Sequence, residues 1–315
     1  MPYIVNVIFN ILTSGLPCCL LALGIFVTFR LLDFADLTAE GSFLIGCAFA
    51  IALIRVNVNP FVATLISTIG GALCGYLTSV FYTKLKIPKI LCGIITMTAT
   101  TALALLILGL TSKDSNFLNN VNLMSENETI YSLFYYGDPK FRPLIKIGIM
   151  FAFVVAIYAI IYLFFGTEYG MAIRATGINE KMARAQGINS KRASIVALVI
   201  SNALIGLAGA LYAQDKRSCS VGMASGFLVI GLASILIGEA IFGRRSFKNS
   251  LISISLGSVL YFVIINVAIE LHFPTQLQTL LYATLIAIAL SIPLIRQAIQ
   301  SLIKKTRKEK NAWIS

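Results

Sequence analysis

The chain has 315 residues, 58% of them hydrophobic and only 12% charged, with a mean hydropathy of +0.87. A soluble domain of this length would carry far more charged surface, whereas a helical bundle in lipid needs little of it. The formal net charge of +12 does not mark a nucleic-acid-binding face, because the basic residues sit at the ends of apolar runs, which is the pattern of membrane topology.

A spanning helix needs about 20 apolar residues. In chain order, spans are predicted near 4–29, 60–82, 87–111, 143–166, 193–213, 223–243, 249–270 and 277–297. A shorter run, 40–54, follows a polar stretch containing Asp33, Asp36, Thr38 and Glu40. It is short for a crossing and is predicted as a broken or partly re-entrant helix, which makes nine segments. The first stretch lacks the basic n-region and small-residue cleavage site of a secretory signal, so it is expected to stay in the mature protein. The whole chain, 1–315, therefore reads as one all-α, polytopic transmembrane bundle.

Sidedness follows from Lys and Arg. With the C-terminus placed in the cytoplasm, most of the 25 basic residues fall on inner loops. These include Arg30, Lys84, Lys86 and Lys89, the cluster from Arg174 to Arg192, Arg244, Arg245 and Lys248, and the basic tail 298–315. Residues 112–142 form a polar outer loop and 167–192 a long basic inner loop. Attraction to anionic headgroups accounts for the tail.

A weak internal echo links Gly41-Ser-Phe-Leu-Ile-Gly46-Cys-Ala to Gly226-Phe-Leu-Val-Ile-Gly231-Leu-Ala. In this topology the first copy starts inside and the second outside. That is the arrangement of an inverted repeat with broken helices meeting near the midplane. Chance similarity between two Gly-rich apolar runs is the alternative.

Several chemistries are excluded by what is missing. No GxxxxGK[ST] loop occurs to cradle nucleotide phosphates, and the sole histidine, His272, rules out an HExxH metal site. The six cysteines (Cys18, Cys19, Cys47, Cys74, Cys92 and Cys219) form no CxxC pair and read as small apolar residues. No metal site, bound cofactor or catalytic set is expected.

The inner loop carries the most information. Gly177 and Gly187 bracket a helix-prone segment, Asn179 to Gln186, with Asn179 as its N-cap and Gly187 beyond its C-terminus. Met182 and Ala183 give it a small apolar face, while Lys181 and Arg184 are polar. Such a helix can dock into a groove on a soluble partner; an ordinary basic inner loop is the plainer alternative.

Arg174-Ala-Thr-Gly-x-Asn, the Ala183-x-x-x-Gly187 spacing, and Ser201-Asn202-Ala203 through Gly209-Ala210 to Gln214 resemble the permeases of ABC importers in the branched-chain amino-acid permease superfamily. Asp36-Leu-Thr-Ala-Glu-Gly41 and Gly231 to Glu239 are similar to a bacterial subgroup of such permeases. The resemblance covers roughly 15–295. It implies a bacterial inner-membrane permease that moves an amino acid, branched-chain or aromatic, and makes no covalent change in it. It further implies a separate cytoplasmic ATPase that holds the ATP and Mg, an extracytoplasmic solute-binding protein and a permease homodimer. On this basis the coupling role falls on Arg174, Asn179, Met182, Ala183, Arg184 and Gly187. The outer loop 112–142 does not align with the family.

Polar residues inside the apolar runs are the remaining candidates. Asp36, Thr38, Glu40 and Ser42 lie where a broken helix would expose polar groups to a cavity, and Asn202 and Gln214 are expected to line the same route. Asn202 could equally hold a neighbouring helix. Glu239 is an embedded charge beside Gly238, with Arg244 or Arg245 as its nearest candidate partner. A cation-coupled secondary transporter using Glu239 or Asp36 is the alternative function, and a membrane scaffold without transport is a third.

Overall fold

The computed structural model describes residues 3–111, 120–124, 126–135, 141–244, 246–270 and 284. The predicted span 277–297, the basic tail and much of the outer loop lie outside the described residues. Among the described residues the α-helices are α1 (Tyr3–Phe26), α2 (Thr38–Arg55), α3 (Pro60–Thr83), α4 (Lys89–Thr111), α5 (Arg142–Phe165), α6 (Glu168–Ile178), α7 (Glu180–Ala185), α8 (Ser190–Lys216), α9 (Phe227–Phe242) and α10 (Phe247–Glu270). Among the described residues, eight segments are long and apolar enough to cross a membrane, and they coincide with the eight predicted segments that fall there.

The helices α1, α2 and α8 are the most buried, with α3, α4, α5, α9 and α10 around them. Glycines set the close approaches. A Cβ at Gly46 would overlap the carbonyl of Gly206, one at Gly71 the carbonyl of Asn202, and one at Gly209 the carbonyl of Phe43. In lipid there is no hydrophobic drive between helices, so such backbone-to-backbone packing supplies much of the adhesion. Gly238 and Gly257 join α9 to α10 in the same way.

The chain turns define two ends. At the basic end, Lys89 Nζ donates to the Asp33 carbonyl at 2.8 Å, and the Phe34 and Tyr82 rings meet edge to face at 5.3 Å. At the other end, Asn120–Asn122 (β1) pairs antiparallel with Ser218–Ser220 (β2), and Asn127 donates to the Ile54 carbonyl at 3.2 Å.

Two features depart from the prediction. The 40–54 run is not itself broken: α2 is continuous over 18 residues. The break precedes it. A π-type turn over Val27–Leu31 closes α1, and the chain then runs irregularly over 32–37 before α2 begins. Likewise the 223–243 span becomes helical only at Phe227, after a short extended piece and a 3-10 turn. The second departure is α6. The inner loop was predicted to hold a single short helix, yet Glu168–Ile178 forms an eleven-residue helix of its own. Its signal was present in Thr167, whose hydroxyl accepts from Gly170 N at 3.4 Å, followed by Glu168 in the first turn.

The starts of α2 and α9 meet. Ser42 bonds Asn202, which lies about 18 Å along α8 from its start and about 21 Å from its end at 1.5 Å per residue. Glu40, two residues earlier, accepts from Gly226 N at 3.0 Å, and Phe43 stacks on Phe227 at 4.1 Å. From this mid-bundle junction α2 runs to the end marked by Ile54 and Asn57, whereas α9 runs to the basic end. The two copies of the sequence echo are thus oppositely directed, with their first residues in contact.

The glycine contacts yield a direct expectation. Gly46→Val should lower stability by about 1–3 kcal/mol or prevent folding, as overpacking does, and thermal unfolding in detergent will read it. A midpoint equal to wild type would show that the α2–α8 approach is slack.

Candidate functional site

The break before α2 is held by a buried polar cluster. Asp36 Oδ1 accepts from Thr38 N at 2.9 Å, and Asp36 Oδ2 accepts from Asn202 Nδ2 at 2.8 Å. The Asn202 carbonyl oxygen accepts from Ser42 Oγ at 2.6 Å. Thr38 Oγ1 lies 2.8 Å from Thr78 Oγ1, which donates to Thr96 Oγ1 at 2.9 Å. All six side chains are buried. Four of the predicted route residues, Asp36, Thr38, Ser42 and Asn202, therefore come together, and they bond one another.

Glu40 and Gln214 stand apart from that cluster. Glu40 is half-buried and caps the start of α9 from a different helix, replacing the side-chain cap that Gly226 lacks. Gln214 lies three turns beyond Asn202. Its Nε2 donates to Thr64 Oγ1 at 2.7 Å and its Oε1 accepts from Ile130 N at 3.0 Å. It ties residues 126–135 to the bundle and lies apart from the Asn202 cluster.

Glu239 sits in the last turn of α9 and is 6% exposed at its side chain. Its main partner was not anticipated. Arg30, at the end of α1, donates from Nε to Oε1 at 3.0 Å and from Nη2 to Oε2 at 2.6 Å. A fork-to-fork pair of this kind is the strongest ion-pair geometry available to a carboxylate. Arg244, the predicted neighbour, is a second and looser partner at 3.5 Å; Arg245 lies outside the described residues.

At the basic end α7 is built as its sequence suggests. Asn179 Oδ1 accepts from Met182 N at 3.0 Å. Beyond the helix, Gly187 takes φ +84°, with Gly187 N on the Arg184 carbonyl at 3.0 Å and Ile188 N on the Ala183 carbonyl at 3.0 Å. This is a Schellman ending, for which a positive φ suits glycine. Arg184 pairs with Glu180 across one turn and donates to Ser190 Oγ. Met182 and Ala183 do not share a face, contrary to expectation. Met182 points outward at 62% exposure, while Ala183 is buried at 3%. Ile178, the last residue of α6, is outward as well, at 86% exposure; sequence reasoning passed it over. Arg174 lies over the Phe247 ring at 5.3 Å.

Among the described residues, no group of three His, Cys, Asp or Glu side chains could hold a metal ion.

The described residues thus form a polytopic helical bundle with a short capped helix outside its candidate spans. Residues 7–290 match the family model for the branched-chain amino acid transport system permease component, and the chain belongs to that family. It is similar to the tyrosine transport system permease protein of Clostridioides difficile (strain R20291), at 31% identity over 264 residues, covering 84% of this chain and 83% of that one. It is also similar to the ribose import permease protein RbsC of Escherichia coli (strain K12), at 25% identity over 75% of this chain and 70% of that one. A solved metal-chelate type ABC transporter in an inward-facing conformation shares the fold, with a TM-score of 0.53 at 16% identity, covering 91% of this chain and 85% of the other.

Asn202 is the hub of the buried cluster, so its loss has a definite cost. Asn202→Leu leaves the Asp36 carboxylate and the Ser42 hydroxyl short of partners and should destabilise the protein by about 1–3 kcal/mol. Thermal unfolding in detergent measures this. An unchanged midpoint would mean that water satisfies the break and Asn202 does not.

Proposed function

We propose that the chain is the permease of an ATP-driven importer that carries a small organic solute into a bacterial cell, with α7 as the docking helix for a separate ATPase. The observation that supports this most strongly is a pair of exposed apolar side chains outside any span, Ile178 at the end of α6 and Met182 on the capped helix α7. Lipid is a poor cover for that pair, since Lys181 and Arg184 stand beside it and are exposed. A groove on a soluble protein covers apolar and charged groups together. In this account the basic end faces the cytoplasm of the inner membrane, and the C-terminus lies on the same side. ATP and Mg sit on the partner, and this chain carries out no chemistry.

An extracytoplasmic binding protein delivers the solute to the opposite end, and two permease copies enclose the path. Asp36, Thr38, Ser42 and Asn202 act as the scaffold of the broken helix that borders it, and Glu40 lies nearest the open junction. The solute class is an amino acid, aromatic or branched-chain, as the tyrosine permease relative suggests. Cation coupling would need a carboxylate free to take up the ion. Both oxygens of Asp36 are engaged by Thr38 and Asn202, and those of Glu239 by Arg30 and Arg244.

Two tests follow. Ile178→Glu combined with Met182→Glu should reduce co-purification of the ATPase at least ten-fold while the permease remains folded in detergent. Ala183→Glu should instead lower stability, because that position is buried. Retained association in the Ile178/Met182 variant would rule out α7 as the docking helix. Tyrosine, leucine and ribose offered to proteoliposomes of the assembled importer should give ATP-dependent uptake of tyrosine or leucine. Uptake of ribose alone would overturn the amino-acid assignment.

A further inference from the structure

The segment from Arg30 to Glu40 meets α9 at both of its ends. Arg30 grips Glu239 in the last turn of α9. Glu40 accepts from Gly226 at the first turn. The helix between these ties is a stiff rod of 16 residues, packed backbone to backbone on α10 through Gly238 and Gly257. The rest of the segment is fixed to α8 through Asp36 and Asn202.

The same segment carries the contact with the docking loop. A Cβ on Gly177, at the end of α6, would overlap the Leu31 carbonyl. Loop and segment therefore touch backbone to backbone, one residue beyond Arg30. Beside that contact lies a cleft of about 150 Å³ whose lining includes Leu32, Asp33, Thr176, Ile178 and Glu180, so the loop has room to shift. Arg30 itself sits in the π-type turn, an irregularity that lets a helix end change its winding.

Glu239 already has a second, looser cation. Arg244 lies 3.5 Å from Oε2 and is largely exposed. If Arg30 withdraws, the carboxylate is not left alone in a low-dielectric setting, which would be costly. It passes to Arg244. A carboxylate held by one tight and one loose cation can shift its weight from one to the other, which gives the two arrangements that a relay of motion requires.

We propose that Arg30 is a positioning residue for energy coupling: movement of the docking loop shifts the Arg30–Glu40 segment, Glu239 exchanges from Arg30 toward Arg244, and α9 tilts with α10. This rests on the docking role assigned to α7, and the experiment separates the two.

The assembled permease–ATPase complex is reconstituted in nanodiscs, with nitroxide labels on cysteines introduced at Val56 and Ser225, both exposed. The distance between them is measured without nucleotide and after trapping with ATP and vanadate. The wild type is expected to shift by several ångströms. Arg30→Gln is expected to abolish that shift while binding the ATPase and hydrolysing ATP within two-fold of wild type. The exchanged pair Arg30→Glu with Glu239→Arg should recover at least half of the shift. An Arg30→Gln complex that still shifts in full overturns the relay. So does one that loses its shift, hydrolysis and thermal stability together without rescue by the exchange, since that marks a merely structural pair. Failure of the wild-type complex to assemble would instead count against the docking role of α7.

Discussion

Irregular backbone inside a bilayer must find its hydrogen bonds within the protein, because lipid offers none. Among the described residues, irregular backbone enters the bundle over 32–37 and again where 217–226 leads from the paired strands to the start of α9, and a set of buried polar bonds answers that demand. Asn202 serves the first break, donating to Asp36 and accepting from Ser42. Glu40 serves the second by capping α9. Arg217 takes a left-handed φ of 54° and donates to the carbonyls of Met124 and Asn127, which draws the outer segment over the same break. Without these bonds two half-buried helix starts would expose unpaired N–H groups, each a penalty larger than most single packing contacts.

This constraint explains why ionisable groups sit so deep in so apolar a chain. Asp36 and Glu40 complete backbone hydrogen bonding, and Glu239 and Arg30 neutralise one another. Lys146 and Asp215 pair at the far end, with the Lys146 ammonium 5.6 Å from the Tyr131 ring centre. Between these polar points the adhesion is steric, through Gly46, Gly71, Gly206 and Gly209. Such a bundle is held by a few specific polar joints and by close backbone-to-backbone contacts between helices.

Hydropathy made the spans legible because each lies in a nearly unbroken apolar run, and local chemistry made α7 legible because caps are short-range: Asn179 and Gly187 act within a turn of themselves. The echo between Gly41 and Gly226 pointed to opposed broken helices for a similar reason, since both copies pair a small-residue face with a polar approach. What was hidden depended on distance or direction. Arg30 is 209 residues from Glu239, so sequence proximity favoured Arg244. The outward Met182 and inward Ala183 differ by a single helical step, and only the packing of α7 fixes which faces inward. Gln214 and Asn202 lie on one helix, yet about three turns and roughly a third of a rotation separate them, enough to place one at the mid-bundle junction and the other against Thr64 and Ile130. The helix α6 was missed because its mixed composition lacks a strong apolar stripe, and its Thr167–Glu168 start was read as loop.

The account depends on energy arriving from a second subunit. The most direct measurement is tyrosine or leucine uptake into proteoliposomes containing either the purified chain alone, with a proton or sodium gradient imposed, or the chain together with its ATPase, ATP and solute-loaded binding protein. Uptake against a gradient only in the second preparation is the predicted result. Concentrative uptake by the chain alone would contradict it.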